Sequence, residues 1–213
     1  MQVAGNRKIL RCIRRCAERQ QEVIKLNTKT KTMVGVGLLT AIVVVLQLLG
    51  TPLKLGMFAG AIALLPIVIG AGLYGWKAGA WLGFAFGATV LLSGDAAPFL
   101  GISVPGTILT VLAKGTGCGA AAGLVHTLLA GRNKTLAAYA AAVVAPLVNT
   151  GIFALGCYAF FYQELASWNA GAYANTTAYI FLGLIGVNFF SELGTSIVLA
   201  PVITRLIKIG KKQ

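Results

Sequence analysis

Lys114 and Glu192 are ionisable side chains set inside long apolar runs, and several polar residues stand at related depths. Lys114 follows Pro105 by nine residues. On a helix that places it about 13 Å beyond the proline, at about 1.5 Å per residue. Its stem can snorkel over part of that distance. Glu192 follows Tyr179 by 13 residues, about 20 Å along its own helix. Asn188 precedes Glu192 by four residues and shares its helix face. Asn149 follows Pro146 near the middle of another run, Gln47 closes the first run, and Thr107 opens the fourth. Asp95 sits in a Gly/Pro-marked loop, 94–105, that is able to fold back over a bundle mouth. A charge at hydrocarbon depth costs about 2.5 kcal/mol or more and marks a functional site by default. Turned inward, these residues line one outward-opening cavity in which Lys114 recognises an anionic group. The competing arrangement pairs Lys114 with Glu192 and leaves Asn149 and Asn188 as interhelical hydrogen bonds, worth about 0.6–2 kcal/mol.

Chemistry beyond binding finds no residues to carry it. The single histidine, His126, falls at the end of the fourth run and reads as an interfacial residue. No Ser-His-Asp arrangement, no metal-ligand cluster and no paired carboxylates lie within the runs, so neither a catalytic set nor a metal or other cofactor is expected. Cys12 and Cys16 lie in the N-terminal tail and Cys118 and Cys157 within runs, a placement that predicts free thiols. No Gly-rich phosphate loop ending in Lys-Ser or Lys-Thr is present, so any ATP hydrolysis belongs to another subunit.

The elements that must position these residues are membrane spans. Charged residues make up only 11% of the chain, and the mean hydropathy is +0.83. A soluble domain of this length does not have that composition. The apolar runs are Met33–Gly50, Gly60–Gly75, Ala78–Ser93, Gly106–Leu129, Leu136–Tyr162 and Ala178–Ile203. A span needs about 20 apolar residues. Threading the runs alternately gathers 16 of the 18 Lys and Arg residues on one side: the tail Arg7–Lys31, Lys77, Arg132, Lys134 and the tail Arg205–Lys212. Lys54 falls opposite. Positive charge marks the cytoplasmic side. The net charge of +13 therefore reports membrane orientation. Nucleic-acid binding would need a basic soluble face with base-contacting partners, and none is offered.

The expected fold is an all-α integral membrane protein, a six-transmembrane-helix bundle with both termini cytoplasmic. Gly75-Trp76-Lys77 is all that separates the second and third runs. Fusing them into one helix would leave five spans and put the basic tails on opposite sides. Residues 1–31 form a basic cytoplasmic tail in which Leu10, Ile13, Ala17 and Ile24 fit an amphipathic helix on anionic lipid. The basic stretch is too long for a signal peptide. Residues 32–213 form the six-helix membrane domain, with outer loops at about 51–59, 94–105 and 163–177. Gly75, Gly79, Gly83 and Gly87 recur every fourth residue, as do Gly115, Gly119 and Gly123. Such ridges let helix backbones approach in lipid. Pro66, Pro146 and Pro201 lie in or near spans, where each removes a backbone donor.

Six stretches, in their order and spacing, resemble a known family: Leu39–Leu49, Leu65–Gly75, Ala78–Gly87, Leu92-Ser-Gly-Asp95, Gly106–Gly115 and Pro146–Phe153. The chain resembles the substrate-binding (S) components of energy-coupling factor (ECF) transporters, vitamin importers of bacteria, over about residues 33–208. The resemblance implies a six-helix subunit in the bacterial plasma membrane. It implies capture of a vitamin-like small molecule outside, closure of outer loops, and delivery inward with a transmembrane scaffold subunit and two ATPase subunits. It implies that a small-xxx-small motif of the first helix docks on the scaffold, and the matching positions are Gly37 and Ala41. The first is Gly where the family usually has Ala, and the long basic tail is a second departure. A buried Lys114 favours an acid such as pantothenate among the family's substrates, unless Glu192 neutralises it. The alternative function is a membrane adaptor or scaffold without a transported ligand, and a small membrane enzyme is a third reading that the missing catalytic set disfavours.

Overall fold

The structure, a computed structural model, describes residues 29–50, 57–169 and 171–210. Lys54, Cys12, Cys16, Lys211, Lys212 and residues 1–28 of the basic tail lie outside the described residues. The chain divides into two compact units, Met1–Leu38 and Leu39–Gln213. Of the first, residues 29–38 are described, and they are helical.

Every regular element among the described residues is helical. The helices are α1 Lys29–Gly50, α2 Met57–Tyr74, α3 Trp76–Ser93, the short α4 Ala97–Leu100 and α5 Val104–Ala130. They continue with α6 Lys134–Trp168 and α7 Thr176–Gly210. Four of them, α1, α5, α6 and α7, are long and apolar enough to cross a membrane, and Ile62–Tyr74 of α2 is a shorter apolar stretch. By that measure the chain is a membrane protein.

Local chemistry sets the boundaries. Gly75 ends α2 with φ 88°, a backbone region open to glycine, so α2 and α3 are separate helices. Gly94 closes α3 in the left-handed conformation at φ 87°. Ser103 caps α5 by accepting from the Gly106 N–H at 3.3 Å, with Pro105 in the first turn. Asn133 caps α6, accepting from Thr135 N at 2.9 Å and Leu136 N at 3.3 Å.

One connection is shorter than the sequence suggests. The loop expected over 163–177 is helical through Trp168, because Leu165 is buried and holds the last turns of α6 in the core. Asn169 ties the remaining turn, donating from Nδ2 to Tyr173 O at 3.0 Å and accepting from Tyr173 N at 2.9 Å. Likewise the loop 94–105 contains α4.

The glycine ridges meet each other. A Cβ on Gly79 would strike the Gly119 carbonyl, one on Gly83 the Gly115 carbonyl, and one on Gly87 would lie 2.8 Å from the Val111 carbonyl oxygen. As residue numbers rise along α3 they fall along α5, so the two helices are antiparallel and in backbone contact. This is the close approach that small residues permit where lipid supplies no hydrophobic drive.

Two cores flank this seam. One is built of small side chains: Ala71 of α2, Ala122 of α5, Ala138, Ala141 and Ala145 of α6, and Ala200, Ile203 and Ile207 of α7. The other is bulkier, with Cys157, Phe161 and Leu165 of α6 against Ile180 and Ile185 of α7. The basic turns gather at the alanine end. Lys208 Nζ donates to Thr135 Oγ1 at 3.1 Å, a Cβ on Gly123 would strike Trp76, and one on Gly210 would lie 2.7 Å from Leu73. Lys77, Arg132, Lys134, Arg205 and Lys208 therefore belong to one end of the second unit.

Candidate functional site

The site forms at the other end, where sequence spacing turns three helix faces toward one space. Thr107, Thr110 and Lys114 recur at i, i+3 and i+7 on α5, and Asn149 and Phe153 at i and i+4 on α6. Asn188 comes from α7, and Asp95 and Phe99 from the α3–α5 connection. These residues line a cavity of about 350 Å³, at the small end of the range for ligand pockets. Of the residues singled out from sequence, Asp95, Thr107, Lys114, Asn149 and Asn188 line it directly. Glu192 and Gln47 stand one hydrogen bond behind. Glu192 accepts from Asn149 and Asn188, and Gln47 donates from Nε2 to Asp95 Oδ2 at 2.6 Å.

Lys114 and Glu192 are not an ion pair. Glu192 is 2% exposed, and its carboxylate accepts from Asn149 Nδ2 at 3.1 and 3.3 Å and from Asn188 Nδ2 at 3.0 Å. Two amide groups thus satisfy it. Lys114 is half-buried. Among the described residues it makes no hydrogen bond and has no carboxylate within 4.0 Å. Its ammonium lies 5.0 Å from the centre of the Phe153 ring. A cation over an aromatic face gains about 0.5–2 kcal/mol, less than a charge-assisted hydrogen bond with a carboxylate supplies. The cavity therefore holds an ammonium whose hydrogen-bonding capacity is unspent.

Other groups close the site. Asp95 also accepts from Ser93 Oγ at 3.0 Å, and with Gln47 this anchors the start of the loop. Phe99 of α4 packs on Phe153, Phe161 and Trp168 at centroid distances of 5.5, 5.1 and 5.9 Å. The loop thereby caps the cavity with an aromatic cluster. Thr107 turns its hydroxyl to its own helix, donating to Ser103 O at 2.8 Å. Asn149 Oδ1 and Thr110 Oγ1 are both buried with no hydrogen-bond partner among the described residues, and both residues border the cavity.

Sequence reasoning missed Thr110 and the apolar wall. Thr110 and Phe153 carried a usable signal, since each is four residues from a polar residue already chosen. Phe161, Leu184 and Ile185 carried none. They sit in π-helical segments, Cys157–Phe161 of α6 and Tyr179–Gly186 of α7. Each such segment shifts the face that its residues present, and π segments recur at functional sites.

Elsewhere, His126 is buried within the bundle, where Gly72 of α2 leaves room for its ring. Cys118 and Cys157 are buried free thiols. Gly37 and Ala41 are exposed on α1. Comparison of the chain with protein-family models, curated proteins and solved structures finds no match.

Proposed function

We propose that this chain is the high-affinity membrane-embedded substrate-binding subunit of an ECF-type importer. It spans a bacterial plasma membrane six times with both termini in the cytoplasm. It captures a vitamin-like small molecule from outside and passes it inward with a transmembrane scaffold subunit and two ATPase subunits. The observation that carries this reading is the cavity of about 350 Å³. It lies at the end opposite the basic turns and holds a lysine without a carboxylate partner among the described residues. With basic turns inside, that end faces outward. The Phe99 loop over the cavity supplies a closing element. A membrane adaptor would not need an ammonium without a hydrogen-bonded carboxylate at this depth, given its cost.

The test is mass spectrometry of small molecules that co-purify with the detergent-solubilised protein. A stoichiometric small molecule is expected, and its absence from protein prepared in rich medium would favour the adaptor.

Two further outcomes follow from this reading. Reporter fusions placed after Lys212 and within 169–175 should show opposite sidedness, and an external C-terminus would overturn the six-span arrangement. Gly37→Trp and Ala41→Trp, at exposed positions of α1, should abolish uptake while sparing ligand binding. Loss of binding in the same variants would assign these positions to bundle packing.

A further inference from the structure

Glu192 fixes which way the cavity's amide points. An ionised carboxylate accepts hydrogen bonds and donates none. Asn149 gives Nδ2 to both Glu192 oxygens, at 3.1 and 3.3 Å. Its Oδ1 is consequently the atom left over, and that oxygen is buried with no partner among the described residues. Asn188 meets the same carboxylate through its own Nδ2 at 3.0 Å, so a flipped Asn149 would set its oxygen against an anion. The residue is 3% exposed, and a buried acceptor left without a partner forfeits its hydration with nothing in return. Thr110 Oγ1, on the α5 side, is likewise buried with no partner among the described residues. Lys114 adds an ammonium that lies over a phenyl ring and, among the described residues, has no carboxylate within 4.0 Å. The rest of the wall is apolar, with Phe99, Phe161 and Leu184.

Resting on the proposal that this cavity is the binding site, we infer that its ligand is a small monoanionic acid carrying an N–H or O–H donor and an apolar body. Lys114 takes the acid group. Asn149 Oδ1 takes the donor, and Thr110, on the α5 side of the same cavity, bonds a second polar group. Glu192 touches no ligand and is a positioning residue. It selects for donors by holding Asn149 in one orientation, as outer carboxylates orient ligating groups elsewhere. A ligand without the donor leaves the Asn149 oxygen buried and unpaired, which is how a polar site rejects an analogue.

Three probes separate these features: hippurate, with one carboxylate, one amide N–H and a phenyl ring; hippuramide, which lacks the charge; and N-methylhippurate, which lacks the donor. Titration calorimetry on the detergent-solubilised wild-type chain should give hippurate a Kd about tenfold or more below either analogue, equivalent to about 1.4 kcal/mol. In Glu192→Gln the amide partner is no longer acceptor-only, and Asn149 is free to flip. The hippurate to N-methylhippurate ratio should then fall toward one, while the hippurate to hippuramide ratio persists. A merely structural Glu192 would weaken all three probes together and leave both ratios intact. The wild-type ratios test the ligand class even where Glu192→Gln fails to fold. Equal binding of hippurate and hippuramide, or of hippurate and N-methylhippurate, overturns the inference. So does a co-purified molecule that is cationic, neutral or without a donor, and that result leaves the binding-subunit reading standing. No co-purified molecule and no binding of any probe overturns that reading itself.

Discussion

Lys114→Met is expected to weaken binding of the co-purified ligand by about 10- to 150-fold, the equivalent of about 1.5–3 kcal/mol for a charge-assisted hydrogen bond. The bundle should remain folded. Met keeps the apolar stem, and among the described residues no carboxylate within 4.0 Å is left behind by the change, because Glu192 is held by Asn149 and Asn188. Had Lys114 neutralised Glu192, the same substitution would strand a buried carboxylate and cost about 3–5 kcal/mol of stability. The double change Lys114→Met, Glu192→Gln would then recover it. Calorimetric titration beside thermal unfolding distinguishes the outcomes. Unchanged affinity in a stably folded Lys114→Met protein would remove Lys114 from the site.

Gly83→Leu should damage the bundle more than any cavity substitution. The first atom of the new side chain meets the Gly115 carbonyl, which is backbone and unable to swing aside. Overpacking among flexible side chains costs about 1–3 kcal/mol, so a collision with backbone should reach about 3 kcal/mol or more. For a chain of this size that lowers Tm by roughly 6–12 °C. Gly151→Leu is the matched control. Gly151 has open space where its Cβ would go and is exposed on α6. Its replacement removes a flexible residue from a helix, worth about 0.5–1 kcal/mol, and should hold or raise Tm. A Gly83→Leu protein as stable as wild type would mean that α3 and α5 do not touch through their backbones.

What the sequence determined by itself was whatever depends on spacing along one helix. The helix faces of Thr107 and Lys114, and of Asn188 and Glu192, follow from the 3.6-residue turn. The four-residue glycine periods of α3 and α5 announced a close helix contact, and in the structure the two ridges meet each other. The break at Gly75 and the cap at Ser103 were likewise written locally. Only the tertiary structure decided who meets whom. Whether Lys114 or two asparagines would satisfy Glu192 depends on the rotation of three helices about their axes, which no spacing within one helix fixes. Part of the cavity's apolar wall depended on π segments in α6 and α7. One residue added to a helical turn carries Phe161, Leu184 and Ile185 onto a face that regular periodicity assigns elsewhere. The orientation of Asn149 came last of all, because an amide is symmetric in shape and only the carboxylate packed against it tells its oxygen from its nitrogen.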